Sequence, residues 1–145
     1  MISIELVKDI QDNLLHWFHS NGRHWIPWKL SKEGKQPQPR EILDPYPIWI
    51  AEVMLQQTQL NVVIPYWESW INDFPSLIHL VEADQHEVLM KWQGLGYYLR
   101  ANRIHISSKL LIDLIGKDHT SDPFKWPIEF DQWIALPGIG KSTAG

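Results

Sequence analysis

One segment of the sequence decides how the rest of the chain is interpreted: residues 44–59, DPYPIWIAEVMLQQTQ. Pro45 and Pro47 hold its first residues extended, because proline fixes φ and has no N–H to donate, so a helix begins only near Pro47. From there the apolar side chains recur at helical spacing, and one face of the helix is expected to join a core. The segment therefore predicts one helix that continues to Gln59.

An acidic residue, Glu52, lies in the middle of this apolar segment. Gln56 follows one turn later and Gln59 near the next, so the predicted helix carries a polar stripe with a carboxyl at its base. Apolar walls disfavour the charged form of a carboxyl and favour its use as a general acid. A helical Glu is more commonly a solvated surface residue, and both interpretations of Glu52 stay open on the residues alone.

The composition is that of a folded globular protein. The 145 residues are 44% hydrophobic and include nine tryptophans, most of which are expected in a core, so we predict a single domain over residues 1–145. The chain has no cysteine, which excludes disulfides, thiolate zinc sites, iron–sulfur ligands and a thiol nucleophile within it. We expect these residues to hold no metal and no cofactor.

The sequence carries no targeting or membrane signal. Its first residues, MISIE, lack the basic and apolar regions of a signal peptide, and no apolar run has the length of a membrane span. The expected location is therefore the cytoplasm, without a membrane partner.

Charge is distributed unevenly along the chain. The formal net charge is −4 overall, yet residues 1–90 carry −6 and residues 91–145 carry +2. Residues 88–112 contain no acid, and their basic residues are Lys91, Arg100, Arg103 and Lys109. An acidic protein with one basic face can bind a polyanion through that face, although ordinary scatter of surface charge explains the pattern equally well.

Hydrophobic periodicity predicts an all-α protein of seven or eight short helices, because no segment alternates polar and apolar residues as a strand does. Ser3, Ser76 and Asp84 are predicted N-caps. Residues 29–43 lack periodicity and are predicted to form an exposed, mobile insertion. The predicted helices cover residues 3–20, 47–59, 62–74, 77–82, 85–92, 98–115 and 130–135.

The last residues, LPGIGKSTAG (136–145), contain a Pro-Gly-x-Gly turn between two predicted helices, the pattern of a helix–hairpin–helix. Such a turn points backbone N–H groups at a phosphate, and glycine lets the phosphate approach without a Cβ in the way. A nucleotide-binding P-loop is rejected, because Ala135 stands where that loop needs its first glycine and no strand precedes it. A second helix starting near Gly140 would end after about one turn, so we expect the chain to be truncated here.

Another glycine-containing loop, GLGYY (residues 94–98), precedes the helix that carries Arg100 and Arg103. In a nucleic-acid-binding protein the apolar tip of this loop could enter a base stack. The alternative is a plain turn between helices with buried tyrosines, which the loop by itself favours.

Together these residues resemble the adenine DNA glycosylase family (MutY), within the helix–hairpin–helix DNA glycosylases. The resemblance spans nearly the whole chain, and its most specific part is the string EVMLQQT that begins at Glu52. It implies a helix–hairpin–helix DNA glycosylase fold, mainly the six-helix domain, truncated at the hairpin. The matching segments are 26–28, 44–46, 49–59, 63–66, 74–75, 94–98, 100–101 and 136–145.

The resemblance implies a monomeric base-excision repair enzyme that acts on double-stranded DNA. It would flip adenine out of a mispair with 8-oxoguanine or guanine and hydrolyse the N-glycosidic bond, with Glu52 protonating N7 of adenine. The adenine pocket would be lined by Arg23, Ile26, Trp28 and Leu55. Gln57 and Thr58 would face the 8-oxoguanine, Gln56 the space left by the flipped base, and Leu95 and Tyr97 the base stack. The phosphates would be held by Gly138, Ile139, Gly140, Lys141 and Ser142.

One position distinguishes the chain from related glycosylases that also cleave the DNA strand. The endonuclease III type has a Schiff-base lysine where this chain has Ser142, so the resemblance implies monofunctional chemistry with water as the nucleophile. The family's second catalytic carboxylate and the four cysteines of its 4Fe-4S cluster would lie beyond residue 145. We therefore expect the 145-residue chain to be inactive alone, and the cluster to occur only in a full-length protein.

Two other classes of function stay open. A catalytically dead helix–hairpin–helix module would bind DNA without hydrolysing it, and a structural helical protein would bind no nucleic acid. The reading frame after Gly145 separates the module from the enzyme, and salt-dependent binding to a duplex tests the structural protein.

Overall fold

The computed structural model describes residues 3–21, 26–31, 34–38 and 40–127. Within these ranges the regular structure is helical and no strand occurs, which confirms the all-α prediction. The α-helices are α1 (Ile4–Asn21), α2 (Pro45–Leu55), α3 (Leu60–Asp73), α4 (Leu77–Glu82), α5 (Gln85–Lys91) and α6 (Leu99–Ile115). Short 3-10 helices cover Pro27–Lys29, Lys117–His119 and Pro123–Lys125. The predicted helix over 130–135 lies outside the described residues.

The backbone groups into two units, Met1–Gln36 and Pro37–Gly145. The first holds α1 and the 3-10 helix that follows it, and the second holds α2 to α6. The single domain predicted over residues 1–145 stays a prediction. No helix in the described ranges combines the length and the apolar character that crossing a bilayer requires.

Helix α1 begins where the sequence predicted it. The Ser3 hydroxyl oxygen accepts from the Leu6 N–H at 3.2 Å, as an N-cap does. The apolar side chains of its first four turns are nevertheless exposed, and Ile4 keeps 88% of its accessible surface. The helical spacing of these apolar residues predicted a buried face, but in the structure their side chains are exposed.

Helix α2 begins two residues earlier than predicted, at Pro45 instead of Pro47. The Asp44 carboxylate accepts from the Tyr46 N–H at 3.1 Å and caps the helix. Both prolines fit the first turn, because the N–H groups there have no partner within the helix and a missing donor costs nothing. The prediction treated Pro45 as part of an extended lead-in and did not use Asp44 as a cap.

An aromatic cluster forms the centre of the Pro37–Gly145 unit. Trp70 packs edge-on against Phe74 (5.1 Å between ring centroids) and against Trp92 (5.8 Å). The Tyr46 hydroxyl donates to the Phe74 carbonyl at 2.6 Å and accepts from the Trp70 indole N–H at 3.2 Å. Burial raises the pKa of Tyr46, so its phenol stays protonated and can donate. This hydroxyl joins α2 to the end of α3.

Replacing Tyr46 by phenylalanine is expected to lower the free energy of unfolding by about 1–3 kcal/mol, because a buried carbonyl and a buried indole N–H both lose their partner. Urea unfolding at constant temperature measures the loss. Tyr66→Phe is the matched control, since its hydroxyl makes a similar bond to the Gln93 carbonyl (3.0 Å) at a solvent-accessible position. Its loss should stay below about 1 kcal/mol, because water replaces the phenol there. Equal losses for the two variants would contradict the assignment.

Helices α4 to α6 are the remaining described α-helices of this unit. Helix α4 covers the predicted residues, and the Ser76 hydroxyl accepts from the His79 N–H at 3.5 Å as its cap. Asp84 occupies the N-cap position of α5, but its side chain makes no capping hydrogen bond. Helix α6 packs against α2, α4 and α5 and ends at Gly116, whose φ of 90° suits glycine. The end of α2 and the loop before α6 are thereby held next to one another.

Of the predicted insertion, residues 29–31, 34–38 and 40–43 are described. Lys29 ends the 3-10 helix Pro27–Lys29, and the other described residues contain no helix or strand. Most of these residues are exposed, as predicted, while their mobility stays a prediction. The six tryptophans with described burial are all in the core, which agrees with the prediction from composition: Trp28, Trp49, Trp67, Trp70, Trp92 and Trp126.

Candidate functional site

Glu52 begins the last turn of α2 and is half-buried. Its neighbours Ala51 and Val53 are buried, so the inner side of the helix is dry, whereas part of the Glu52 residue stays accessible to solvent. Among the described residues nothing hydrogen-bonds or pairs with this carboxyl. The solvated-surface interpretation predicted an exposed Glu52, and the functional interpretation predicted a largely buried one. The observed burial of Glu52 is intermediate.

The helix predicted to reach Gln59 ends at Leu55 instead, so that prediction was wrong. Gln56 caps the end by donating its N–H to the Val53 carbonyl at 3.2 Å, and the next residue, Gln57, has a left-handed φ of 60°. The chain reverses there and α3 starts at Leu60. The polar stripe of Glu52, Gln56 and Gln59 therefore does not lie on one helix. A tight turn presents Gln57 to solvent instead.

The GLGYY loop folds back onto the end of α5. The Leu95 N–H donates to the Trp92 carbonyl at 3.0 Å, and the Trp92 indole N–H donates to the Gly96 carbonyl at 2.8 Å. Leu95 is only 7% exposed, so the predicted apolar tip is corrected: Leu95 belongs to the core of this loop. Tyr97 is 63% exposed, with a φ of 51°, and forms the tip. A base stack that met this loop would meet the Tyr97 ring.

The basic segment does not form the uniform face that its composition indicated. Lys91 pairs with Asp73 and donates to the Ser69 hydroxyl at 3.1 Å, and the Lys91 ammonium holds the pKa of Asp73 below its ordinary value. Arg100 is buried, whereas Arg103 and Lys109 are exposed. Of these four cations, only Arg103 and Lys109 are exposed to solvent, where a polyanion could reach them.

Sequence reasoning placed Arg100 on the surface and missed its burial. One signal was available: Arg100 stands one turn before Ile104 and three before Leu111, on the stripe of α6 that faces the core. A charged residue on such a stripe either pairs in the interior or extends to the surface. Arg100 stays in the interior, where its guanidinium hydrogen-bonds to backbone carbonyls and to the Thr58 hydroxyl.

The residues predicted to line the adenine pocket belong to both units. Ile26 and Trp28 are buried in the Met1–Gln36 unit, and Leu55 is half-buried at the end of α2. Arg23 lies outside the described residues, as do the predicted phosphate contacts Gly138, Ile139, Gly140, Lys141 and Ser142. That these residues line one pocket and one hairpin stays a prediction.

An open groove of about 450 Å³ lies beside the loop and does not include Glu52. It is lined by Pro65, Tyr66, Ser69, Met90, Lys91 and Gln93. Its one cation, Lys91, is already paired with Asp73, so the groove offers no free charge to an anion. In the described ranges no cluster of histidine and acidic residues has the arrangement of a metal site.

Residues 50–143 match the family described as HhH-GPD superfamily base excision DNA repair protein. This match covers most of the chain, from α2 onward, and the chain belongs to that family. The helix–hairpin–helix fold class inferred from the sequence is thereby confirmed.

Individual proteins of known name also match the chain over most of its length. The chain is 39% identical over 132 residues to the adenine DNA glycosylase of Buchnera aphidicola subsp. Schizaphis graminum, covering 91% of this chain and 33% of that protein. It is 32% identical over 151 residues to the adenine DNA glycosylase of Homo sapiens, covering 99% of this chain and 26% of that protein. The chain thus spans a third or less of the length of these relatives and is similar to one part of each.

Two solved structures have the same fold at low sequence identity. A thermostable thymine-DNA glycosylase superposes with a TM-score of 0.71 at 19% identity, covering 94% of this chain and 55% of that one. Endonuclease III in a non-covalent DNA complex superposes with a TM-score of 0.66 at 18% identity, covering 99% and 57%. At these identities the likeness shows the helical architecture and nothing about substrate.

Proposed function

We propose that the chain is the N-terminal, largely six-helix part of an adenine DNA glycosylase, a monofunctional hydrolase of base-excision repair. The observation that carries the proposal is the likeness to adenine DNA glycosylases over 91% of the chain, which includes α2 with Glu52 and the turn after it. The substrate proposed is adenine opposite 8-oxoguanine or guanine in double-stranded DNA. The cellular location proposed is the cytoplasm, at the DNA, and the protein acts as a monomer.

In the proposed reaction, Glu52 in its protonated form gives a proton to N7 of an extruded adenine. The bond between N9 and C1′ then breaks with its electron pair leaving on adenine, and water adds to C1′ and releases a proton. A half-buried carboxyl suits this role, because it meets the base on one side and keeps a dry helix face on the other. Extrusion costs a few kcal/mol, which side chains entering the stack offset.

The groups that enter the stack are proposed from the two turns. Gln57 and Tyr97 are the exposed side chains of the turn after α2 and of the GLGYY loop, and both turns are left-handed at those residues. Ser142 replaces the lysine that a strand-cleaving relative would use, which supports release of the base without a covalent intermediate. An iron–sulfur cluster needs thiolate ligands, which this chain does not contain, and the proposed reaction does not require such a cluster.

The test is adenine release from a duplex with one adenine·8-oxoguanine pair, measured in a single turnover. The 145-residue chain and any longer product of its reading frame are assayed side by side, with a fully paired duplex as control. The longer product is expected to release adenine from the mispair and not from the paired duplex, and the 145-residue chain is expected to release none. Binding of the longer product to both duplexes without release from either would replace the proposal by a catalytically dead DNA-binding module.

A further inference from the structure

Arg100 is the second residue of α6, directly after the GLGYY loop, and only 8% of it is exposed. Its guanidinium donates hydrogen bonds to two different segments of the chain. Nη1 bonds the end of α2, and Nη2 bonds the turn that follows α2 and also the loop. The acceptors of Nη1 are the carbonyls of Val53 (3.1 Å), Met54 (2.9 Å) and Gln56. The acceptors of Nη2 are the Thr58 hydroxyl (3.1 Å) and the Gly96 carbonyl (3.3 Å).

The contacts to α2 have a clear physical cause. The last carbonyls of a helix have no N–H partner within it, and the helix dipole makes that end negative. A guanidinium carries five N–H donors in a planar fork and can serve several such oxygens at once, which a lysine ammonium cannot do at that spread. Arg100 therefore acts as a cap supplied from a residue more than forty positions later in the chain.

Two aromatic rings stabilise the positive charge of the Arg100 guanidinium. The guanidinium carbon lies 5.2 Å from the centroid of the Trp92 ring and 5.3 Å from that of Tyr97, both within cation–π range. Within the described part of the chain no carboxylate pairs with Arg100, and its Nε–H is buried without a partner. Burial lowers the pKa of the Arg100 guanidinium, yet the group stays charged because arginine does not lose its proton in proteins. An apolar side chain would fill this place at lower desolvation cost, so the contacts account for the arginine better than packing does.

Two strained residues sit beside these contacts. Gln57 (φ 60°) lies between two partners of Arg100, Gln56 and Thr58, and Tyr97 (φ 51°) follows a third, Gly96. A non-glycine residue in the left-handed region costs roughly 1–2 kcal/mol and persists only where its surroundings hold it. Such strain concentrates at functional sites. Here both strained residues expose their side chains, and one buried cation holds both turns.

We propose that Arg100 is a positioning residue. Its hydrogen bonds fix the turn that carries Gln57 relative to the loop that carries Tyr97, so that both side chains contact the DNA together. This inference rests on the proposed glycosylase function for its consequence on DNA, and on the hydrogen bonds alone for the coupling of the turns. Arg100 does not touch DNA in this role. Its loss disturbs mispair recognition through the two turns.

The first test is amide hydrogen exchange in Arg100→Lys, which keeps the charge but cannot reach all five acceptors. Exchange at residues 56–58 and at residues 95–97 is expected to accelerate together by about tenfold or more, the equivalent of one lost hydrogen bond to a charged group. Exchange in α4 is expected to stay unchanged. Arg103→Lys is the matched control, since it makes the same replacement one turn later on the same helix at an exposed position, and it should alter neither segment. Acceleration in one segment only, or in neither, overturns the coupling.

If Arg100→Lys does not fold, Thr58→Val replaces it as the test. Thr58 makes no described hydrogen bond to residues 95–97 except through the Arg100 guanidinium, so exchange in that loop should still accelerate when its hydroxyl is removed. An unchanged loop in Thr58→Val overturns the proposal.

The second test separates positioning from simple attraction to phosphate. The affinity of Arg100→Lys for an adenine·8-oxoguanine duplex is expected to fall about tenfold or more, while its affinity for a fully paired duplex stays within about twofold. Equal losses for both duplexes overturn the positioning role. If the full-length protein with Arg100 in place neither prefers the mispair nor releases adenine, the proposed function fails, and hydrogen exchange still decides whether Arg100 couples the turns.

Discussion

In the full-length protein, Glu52→Gln is expected to abolish adenine release while leaving duplex binding intact. Glutamine has the same volume and keeps a carbonyl oxygen, but it has no acidic proton to give to the leaving base. A general acid contributes about 10²–10⁴ to a rate, so a loss of about 10³ in the single-turnover rate, or about 4 kcal/mol of activation free energy, is the expected size. The position of Glu52 on the last turn of α2, half-buried beside a dry helix face, is the physical basis of this expectation.

Two measurements make the experiment specific. Affinity for the adenine·8-oxoguanine duplex should change by less than about threefold, because the proton is transferred only in the transition state and binding does not depend on it. Glu68→Gln, an equal replacement of an exposed glutamate on α3, should keep the full rate. A Glu52→Gln rate within tenfold of the unmodified protein would show that another group supplies the proton.

The sequence predicted helices best where local signals define them. Helix α4 was placed correctly at both ends, because Ser76 caps its start and its apolar spacing is regular. Helix α6 was predicted within one residue, since a glycine ends it. Caps, glycines and apolar spacing act over a few residues, so one stretch of sequence carries the information.

The end of α2 was mispredicted because its cause is not local. The sequence after Leu55 continues with polar residues that a helix accepts, and nothing nearby indicates a stop. The carbonyls there bind Arg100, more than forty residues later, and Gln57 turns left-handed beside them. The role of Glu52 as a site residue therefore stays a prediction, and the geometry of the turn after it depends on tertiary contacts that the local sequence does not contain.

The exposure of Leu95 was also mispredicted, because it depends on contacts that the loop sequence does not show. An apolar residue between two glycines is typical of an exposed tip, yet hydrogen bonds from Leu95 and to Gly96 fold the loop back onto Trp92. Tyr97 takes the exposed place instead. Which of two neighbouring residues reaches solvent is decided by the partner of the loop, and that partner is a tryptophan of the preceding helix.

Gly94→Ala is expected to lower the free energy of unfolding by about 2–4 kcal/mol, from two separate causes. Gly94 has a φ of 91°, which an alanine adopts only with strain. A Cβ at this position would also overlap the Tyr66 hydroxyl, so the tyrosine must move and break its 3.0 Å bond to the Gln93 carbonyl. The loop that carries Tyr97 would be displaced with it, and urea unfolding together with affinity for the mispaired duplex would record both effects.

The chain offers the controls that separate strain from overlap. Gly96 has a similar φ of 82° with nothing within 4 Å of its Cβ position, so Gly96→Ala reports the conformational cost alone, about 1–2 kcal/mol. Tyr66→Phe removes the overlapping oxygen and leaves the ring carbon at 3.6 Å, an ordinary contact. The double variant Gly94→Ala with Tyr66→Phe should therefore be more stable than the sum of the single losses predicts, by about 1 kcal/mol in a double-mutant cycle. Strict additivity would mean that the overlap relaxes without cost, and equal losses for Gly94→Ala and Gly96→Ala would place the whole effect in the backbone.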